Sequence, residues 1–154
     1  MKNMNRQLLI DHLDKKLAML QGLADSEIPT KGWINAVRTT LGMTLAQLAK
    51  RLNKTPVAVR EIEGREQSKT ITLKKLIEVG EALDLRFVYG FVPKESSLRA
   101  MIEKRAREVA HEIVMRTSHS MALEDQKNSE ERLEQSIRDL AEMLKRELPR
   151  HLWD

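Results

Sequence analysis

The stretch from Met43 to Glu63 constrains this chain more than any other, because it punctuates two short helices residue by residue. It reads Met-Thr-Leu-Ala-Gln-Leu-Ala-Lys-Arg-Leu-Asn-Lys-Thr-Pro-Val-Ala-Val-Arg-Glu-Ile-Glu. Thr44 is placed to N-cap the first helix, whose inward face is Leu45, Leu48, Ala49 and Leu52 at helical spacing. Asn53-Lys54 follows, a pair that tolerates the left-handed backbone of a tight turn. Thr55 then caps a second helix with Pro56 at its first position, where a missing N–H costs little. Val59 and Ile62 bury that helix and leave Thr55, Pro56, Val57, Ala58, Arg60 and Glu61 on its outward, N-terminal half.

Two helices joined in this way make a helix-turn-helix, which delivers those positions to the major groove of DNA. Arg60 is suited to bidentate donation to guanine, Thr55 to a base edge or phosphate, and Val57 and Ala58 to a thymine methyl. Glu61 either accepts from cytosine or pairs with Arg65, and the ion pair is the preferred expectation. With Pro56 and Val57 at its tip the surface is apolar, so DNA shape is expected to share in the readout. Thr44, Gln47, Lys54, Arg65, Lys69, Thr70, Thr72 and Lys74 are the candidate phosphate contacts. Charge agrees in its distribution. Residues 31–92 carry 11 basic and 6 acidic side chains, whereas residues 93–154 carry 12 and 13. The positive surplus therefore lies where the groove-reading helix lies.

Aromatic residues are 3% of the 154-residue chain and charged residues 32%, values that suit a mainly α protein with a small core. We expect three regions: an N-terminal amphipathic helix and linker over 1–30, a DNA-binding domain over 31–92, and a helical partner-binding region over 93–154. In the first, Leu8, Leu9, His12, Leu13, Leu17 and Leu20 form a stripe opposite Arg6, Asp11 and Lys15. The second opens with Trp33, Ile34, Val37 and Leu41 as a helix face that ends at Gly42. Its last part, 85–92, reads Leu-Arg-Phe-Val-Tyr-Gly-Phe-Val and predicts one short strand. A lone strand leaves its backbone unsatisfied, which favours pairing with the same strand of a second subunit over pairing within the chain. In the third region Leu98, Ile102, Val109 and Ile113 mark one helix. Leu133, Ile137, Leu140, Leu144 and Leu148 mark another, with Gln126 to Ser129 as the link between them and Pro149 as the stop.

Several classes of chemistry have no foothold. There is no cysteine for a disulfide or thiolate metal site, no glycine-rich phosphate loop and no nucleophile elbow. His111 with Glu108 and Glu112 offers a single histidine, which suits surface or packing roles better than a metal. No enzyme activity, cofactor or metal is expected. No apolar run approaches a membrane span, and the N-terminus does not look like a signal peptide, so a cytoplasmic location is expected.

The central segment resembles the DNA-binding domain of phage-repressor-like regulators of the Xre type. The matching residues are Leu48-Ala49, Thr55, Val59 and Ile62-Glu63-Gly64. Downstream, Thr70-Ile-Thr-Leu73 leads into Leu76, Ile77, Ala82 and Leu83. The resemblance implies a five-helix domain; it departs at Leu45, where such proteins usually carry Gln, and at Lys54, usually apolar. Nearly the whole chain resembles a narrower group, the mobile mystery protein A family. That likeness rests on Lys31-Gly-Trp-Ile34, Ala82-Leu-Asp84, Phe87-Val-Tyr89, Val92-Pro93, Ser118-His-Ser-Met-Ala-Leu-Glu124 and the terminal run from Arg146 to Asp154.

Members of that group typically accompany a partner with a Fic domain, which transfers AMP from ATP to protein hydroxyls. The resemblance thus implies an antitoxin-like protein that represses its own operon as a homodimer on double-stranded DNA and neutralises a Fic-domain enzyme. Ser120 and Glu124 are similar to the Fic-inhibitory motif, in which Glu pairs with an active-site Arg and fills the space of the ATP γ-phosphate. Asp125 stands where that motif has Gly or Asn. Two other functions stay open: a simple dimeric regulator whose flanking helices only oligomerise, and a purely protein-binding inhibitor on a vestigial DNA-binding fold.

Overall fold

Each helix between residues 33 and 82 ends in a left-handed residue, and the four ends share one hydrogen-bond pattern. In the computed structural model, which describes residues 2–119 and 126–154, α1 (Lys2–Ala18) and α2 (Gln21–Ala24) come first. Then follow α3 (Trp33–Thr40), α4 (Leu45–Leu52), α5 (Pro56–Gln67) and α6 (Leu73–Ala82). Two long helices, α7 (Leu98–His119) and α8 (Gln126–Glu147), and a 3-10 turn over Arg150–Trp153 complete the order. The left-handed residues are Gly42, Asn53, Lys69 and Asp84. After each, the next N–H reaches back to the last turn: Met43 to the Arg38 carbonyl, Lys54 to Ala49, Thr70 to Arg65 and Leu85 to Gly80. These are Schellman ends, which satisfy carbonyls that a helix terminus would orphan. The roles expected of Gly42 and Asn53 are met, with Asn53 at φ 54°.

The described residues divide into two compact units, Leu23–Gly90 and a second built from Met1–Gly22 with Phe91–Asp154. In the first unit Ile34, Leu48, Ala49, Leu52, Val59, Ile62, Val79 and Leu83 form the core, flanked by Val37, Met43, Leu45, Ile71, Leu76 and Ala82. Burying one such aliphatic side chain is worth about 1.5–3 kcal/mol. Trp33 and Leu41, expected on the inner face of α3, are instead largely exposed. What ties α3 to α5 is polar. The Arg38 guanidinium donates to both Glu63 oxygens, at 2.5 and 3.2 Å, and to the Met43 carbonyl at 2.9 Å. Asn35 also donates to Glu63, at 3.0 Å.

The expectation of five helices and a strand needs correcting. Residues 31–92 hold four helices, and among the described residues there is no strand. Residues 85–92 adopt no regular structure, since the described residues offer no second strand to complete a ladder.

In the second unit α7 packs on α8 through Ala106, Val109 and Ala110 against Ala141, Leu144, Leu148 and Leu152. Ala106 and Ala110 are fully buried, and it is their small side chains that let the two helices approach; the leucine stripes did not reveal them. Leu148 adopts φ 46° before Pro149, which stops α8 as expected. The helix begins at Gln126, inside the stretch expected to be a link. Arg105 donates to the carbonyl of Leu152 at 2.7 Å and to that of Asp154, which pins the terminal turn and seals Leu152.

Only part of the expected N-terminal leucine stripe is covered, at the half-buried Leu17 and Leu20. Leu8, Leu9 and Leu13 face solvent, while Arg6, Gln7, Asp11 and Asp14 make the contacts and Ile10 joins the core. Asp14 accepts from the backbone N–H groups of Leu98 and Arg99, at 2.7 and 3.2 Å, and so caps α7. Arg6 and Gln7 donate to the Leu148 and Lys145 carbonyls at the end of α8, at 3.1 and 3.2 Å. Satisfying orphan groups at two helix ends outweighs burial of three leucines at this surface.

Glu63 is the buried carboxyl of the central unit through which acid would act. Burial alone would raise its carboxyl, but hydrogen bonds from Arg38 and Asn35 and the nearby guanidinium charges hold it below the ordinary range. Its contribution is therefore complete above the unfolded carboxylate pKa of about 4.3 and is lost as pH falls through the lower folded value. Glu63→Gln should cost roughly 3 kcal/mol at neutral pH in urea unfolding and flatten the loss of stability on acidification. An unchanged midpoint and acid limb would show that the pair is not a support.

Candidate nucleic-acid interface

Three consecutive helices open on an exposed threonine, and each uses its hydroxyl in the same way. Thr44 Oγ1 accepts from the N–H of Gln47 at 3.1 Å, and the Gln47 side-chain oxygen accepts in return from the N–H of Thr44 at 2.8 Å. Thr55 Oγ1 accepts from Ala58 at 3.2 Å, with Pro56 as the first helical residue. Thr72 Oγ1 accepts from Lys75 at 3.2 Å. In each case the backbone before the helix is extended, as an N-cap requires. A hydroxyl that accepts from the helix still has its own proton to donate, and the Gln47 amide keeps both of its hydrogens. Together with the partial positive charge of a helix start, these groups suit an anionic oxygen.

The six positions expected to read bases share the first two turns of α5. Thr55, Pro56, Val57, Arg60 and Glu61 are exposed, Ala58 is half-buried, and Val59 and Ile62 are buried behind them. Val57 is 66% exposed, a large apolar group in water at the helix tip. Among the described residues Arg60 forms no ion pair, so its guanidinium fork is open. The preferred partner for Glu61 is corrected: no Glu61–Arg65 ion pair forms among the described residues.

The expected phosphate contacts separate into groups. Lys54 and Lys74 lie in the field of one carboxylate, Glu78, whose pKa is lowered first by a hydrogen bond from Lys75 and then by these charges. Thr44 and Gln47 stand at the start of α4, and Thr72 at the start of α6. Arg65, Lys69 and Thr70 gather at the far end of α5, roughly 18 Å along its axis from Thr55. There Thr70 shares a hydrogen bond of 2.9 Å with Ser68, and Lys69 occupies the left-handed position at φ 63°. Ser120 and Glu124, the expected inhibitory motif, lie outside the described residues.

One supporting residue was not anticipated. Glu66 on α5 accepts from the N–H groups of Trp33 and Ile34, at 2.7 and 2.8 Å, and so caps α3 from a distance. Gly32 makes this possible: at φ +89°, a Cβ there would sit 2.7 Å from the carboxylate carbon. The available signal was a helix start at Gly32-Trp33 with no capping side chain of its own. Comparison with known proteins adds no relative: no family model, curated protein or solved structure matches the chain.

Thr55→Ala should lower stability by about 1 kcal/mol through loss of the cap, whereas Thr55→Asn should stay within a few tenths of the parent. Equal melting temperatures for all three proteins would show that the hydroxyl contributes nothing to the start of α5.

Proposed function

We propose that the central unit binds double-stranded DNA in a sequence-dependent way and represses transcription, as a helix-turn-helix of the Xre type. The observation that carries this reading is the exposed start of α5, where Thr55, Val57, Arg60 and Glu61 project from a helix locked from behind by Val59, Ile62 and Glu63. α4 and α5 meet through a left-handed Asn53, which supports reading the pair as a helix-turn-helix. Arg60 reads guanine, Val57 and Ala58 touch thymine methyls, and Lys54, Arg65, Lys69 and Lys74 neutralise phosphates. Homodimerisation places two such helices on one operator.

The antitoxin half of the proposal concerns the other unit. In it, the chain belongs with the mobile mystery protein A group and inhibits a Fic-domain enzyme through Glu124. The support is the sequence resemblance, together with the solvent-facing Met4, Leu8, Leu9 and Leu13 on α1, an apolar surface of the kind partners cover. The alternative is a simple dimeric regulator, whose purification with the neighbouring gene product would yield no complex. Among the described residues no helix is long and apolar enough to cross a membrane.

Arg60→Ala should weaken operator binding by about 1–3 kcal/mol and relax preference at one base pair, measured by fluorescence anisotropy on a set of single-substituted duplexes. Unaltered affinity and selectivity would remove Arg60 as a reader. Glu124→Gly should leave the complex with the Fic partner intact while restoring its AMP transfer. Full inhibition by that variant would overturn the proposed mechanism.

A further inference from the structure

Shortly after α6 the central unit carries a run of backbone with no hydrogen-bond partner among the described residues. The Leu85 N–H donates to the Gly80 carbonyl at 2.7 Å, and beyond it no backbone group of residues 86–90 is paired among the described residues. Gly80 allows this close passage, since a Cβ there would meet the Leu85 carbonyl oxygen at 3.1 Å and the Phe87 Cβ at 3.8 Å. Phe87 and Tyr89 stack, with ring centroids 5.9 Å and planes 18° apart, so residues i and i+2 share a side as in a strand. Phe87 is half-buried, whereas Val88 and Tyr89 remain 59% and 68% exposed. The segment has strand composition, strand-like side-chain order and a free set of donors and acceptors.

We propose that residues 86–90 are an intermolecular strand, which pairs antiparallel with the same residues of a second copy about a two-fold axis at Val88. The register follows from symmetry and side-chain chemistry. A two-fold axis normal to a two-stranded ladder sets one residue opposite its own copy. Arg86 in that place opposes two like charges, which destabilises, and Gly90 brings no side chain. Phe87 or Tyr89 at the axis matches one ring with its copy but separates the other ring from its natural neighbour. Val88 at the axis sets each Phe87 against the Tyr89 of the second copy, so two stacked pairs become one cluster of four rings. The same register places Arg86 across from Gly90, where its long side chain has room. An edge with open hydrogen-bonding groups is satisfied and removed from water in one step. The pairing rests on the dimeric reading above, and it names the surface and register of that dimer.

The chain contains no cysteine, so single-cysteine variants report the register cleanly. Opposite residues in an antiparallel pair have Cα atoms about 4.5–5.5 Å apart, within disulfide reach. Val88→Cys should therefore cross-link to a covalent dimer under mild oxidation, at least about tenfold faster than Arg86→Cys or Gly90→Cys alone, whose copies lie roughly 13 Å apart. An equal mixture of Arg86→Cys and Gly90→Cys should cross-link at the fast rate. As a second arm, Val88→Asp and Val88→Lys should each sediment as monomers with an unchanged melting temperature, and their mixture should recover the dimer.

Cross-linking of Val88→Cys no faster than at positions 86 and 90, or dimers of Val88→Asp as stable as the parent, would overturn the pairing. These measurements use no DNA. Failure here with operator binding retained removes the ladder alone, whereas cross-linking without any duplex affinity removes the DNA-binding reading alone.

Discussion

Glu63 and Glu66 stand one helical turn apart on α5, and both point back to α3. Glu63 receives Arg38 and Asn35 from that helix, while Glu66 receives its first two free N–H groups. The pair forms a hinge-free clamp between the first and third helices of the central unit. Its cost is the desolvation of Glu63, which is 8% exposed and, among the described residues, the one charged residue in the buried set. Four donors offset that cost, three from Arg38 and Asn35 at the carboxylate oxygens and one more holding Arg38 itself to Met43. A buried carboxylate served less fully would weaken the unit, because an unpaired buried charge costs more than the pair returns. The orientation of everything on the outer face of α5 depends on this clamp. Arg60 sits three residues before Glu63, close enough for its charge to help hold that carboxyl ionised.

The same device recurs in the other unit. Asp14 of α1 caps α7 across 84 residues of sequence, as Glu66 caps α3 across 32. At α3 the distant carboxylate serves a helix start with no side-chain cap of its own, whereas at α7 it adds to a local cap, the Ser97 hydroxyl that accepts from the Ala100 N–H at 3.0 Å. Both also exploit the favourable meeting of negative charge with a helix start. For α1 the result is a helix held by its polar edge, with Met4, Leu8, Leu9 and Leu13 left in water. That surface is the natural complement of the antitoxin proposal, since a single-chain role gives it nothing to cover.

Local chemistry was legible in the sequence, and distant chemistry was not. Thr44, Asn53, Thr55, Pro56, Gly42 and Pro149 act within a few residues of their own positions, so their roles could be read from spacing alone. The core positions Leu48, Ala49, Leu52, Val59 and Ile62 follow from helical period, and they are buried. Along α1, apolar periodicity marks a stripe but not which of its residues find partners. There, hydrogen bonds to the ends of α7 and α8 decided the matter. Ala106 and Ala110 escaped notice because a helix crossing selects for small size, which leaves a weaker mark than a leucine stripe. Residues 85–92 have strand composition but no partner among the described residues, and composition cannot supply the second half of a ladder.

On the proposed function, affinity and specificity come from different parts of one helix. The candidate cations are Lys54 just before α5, Lys74 in the first turn of α6, and Arg65 with Lys69 at the end of α5, so on this reading phosphate contacts flank the groove-facing turns. Such contacts hold register but carry little sequence information, and they weaken with salt. Between them stand Val57, Ala58 and one open guanidinium. Two apolar groups and a single strong donor can discriminate few base pairs by direct hydrogen bonding, since each good bidentate contact is worth about 1–3 kcal/mol. A lone copy of this surface is therefore a weak reader. Two copies joined by a ladder double the direct contacts and fix the spacing between half-sites, which is itself selective. On that proposal the unpaired segment after α6 answers the sparse chemistry of α5, because pairing two units would supply the discrimination that one groove contact lacks.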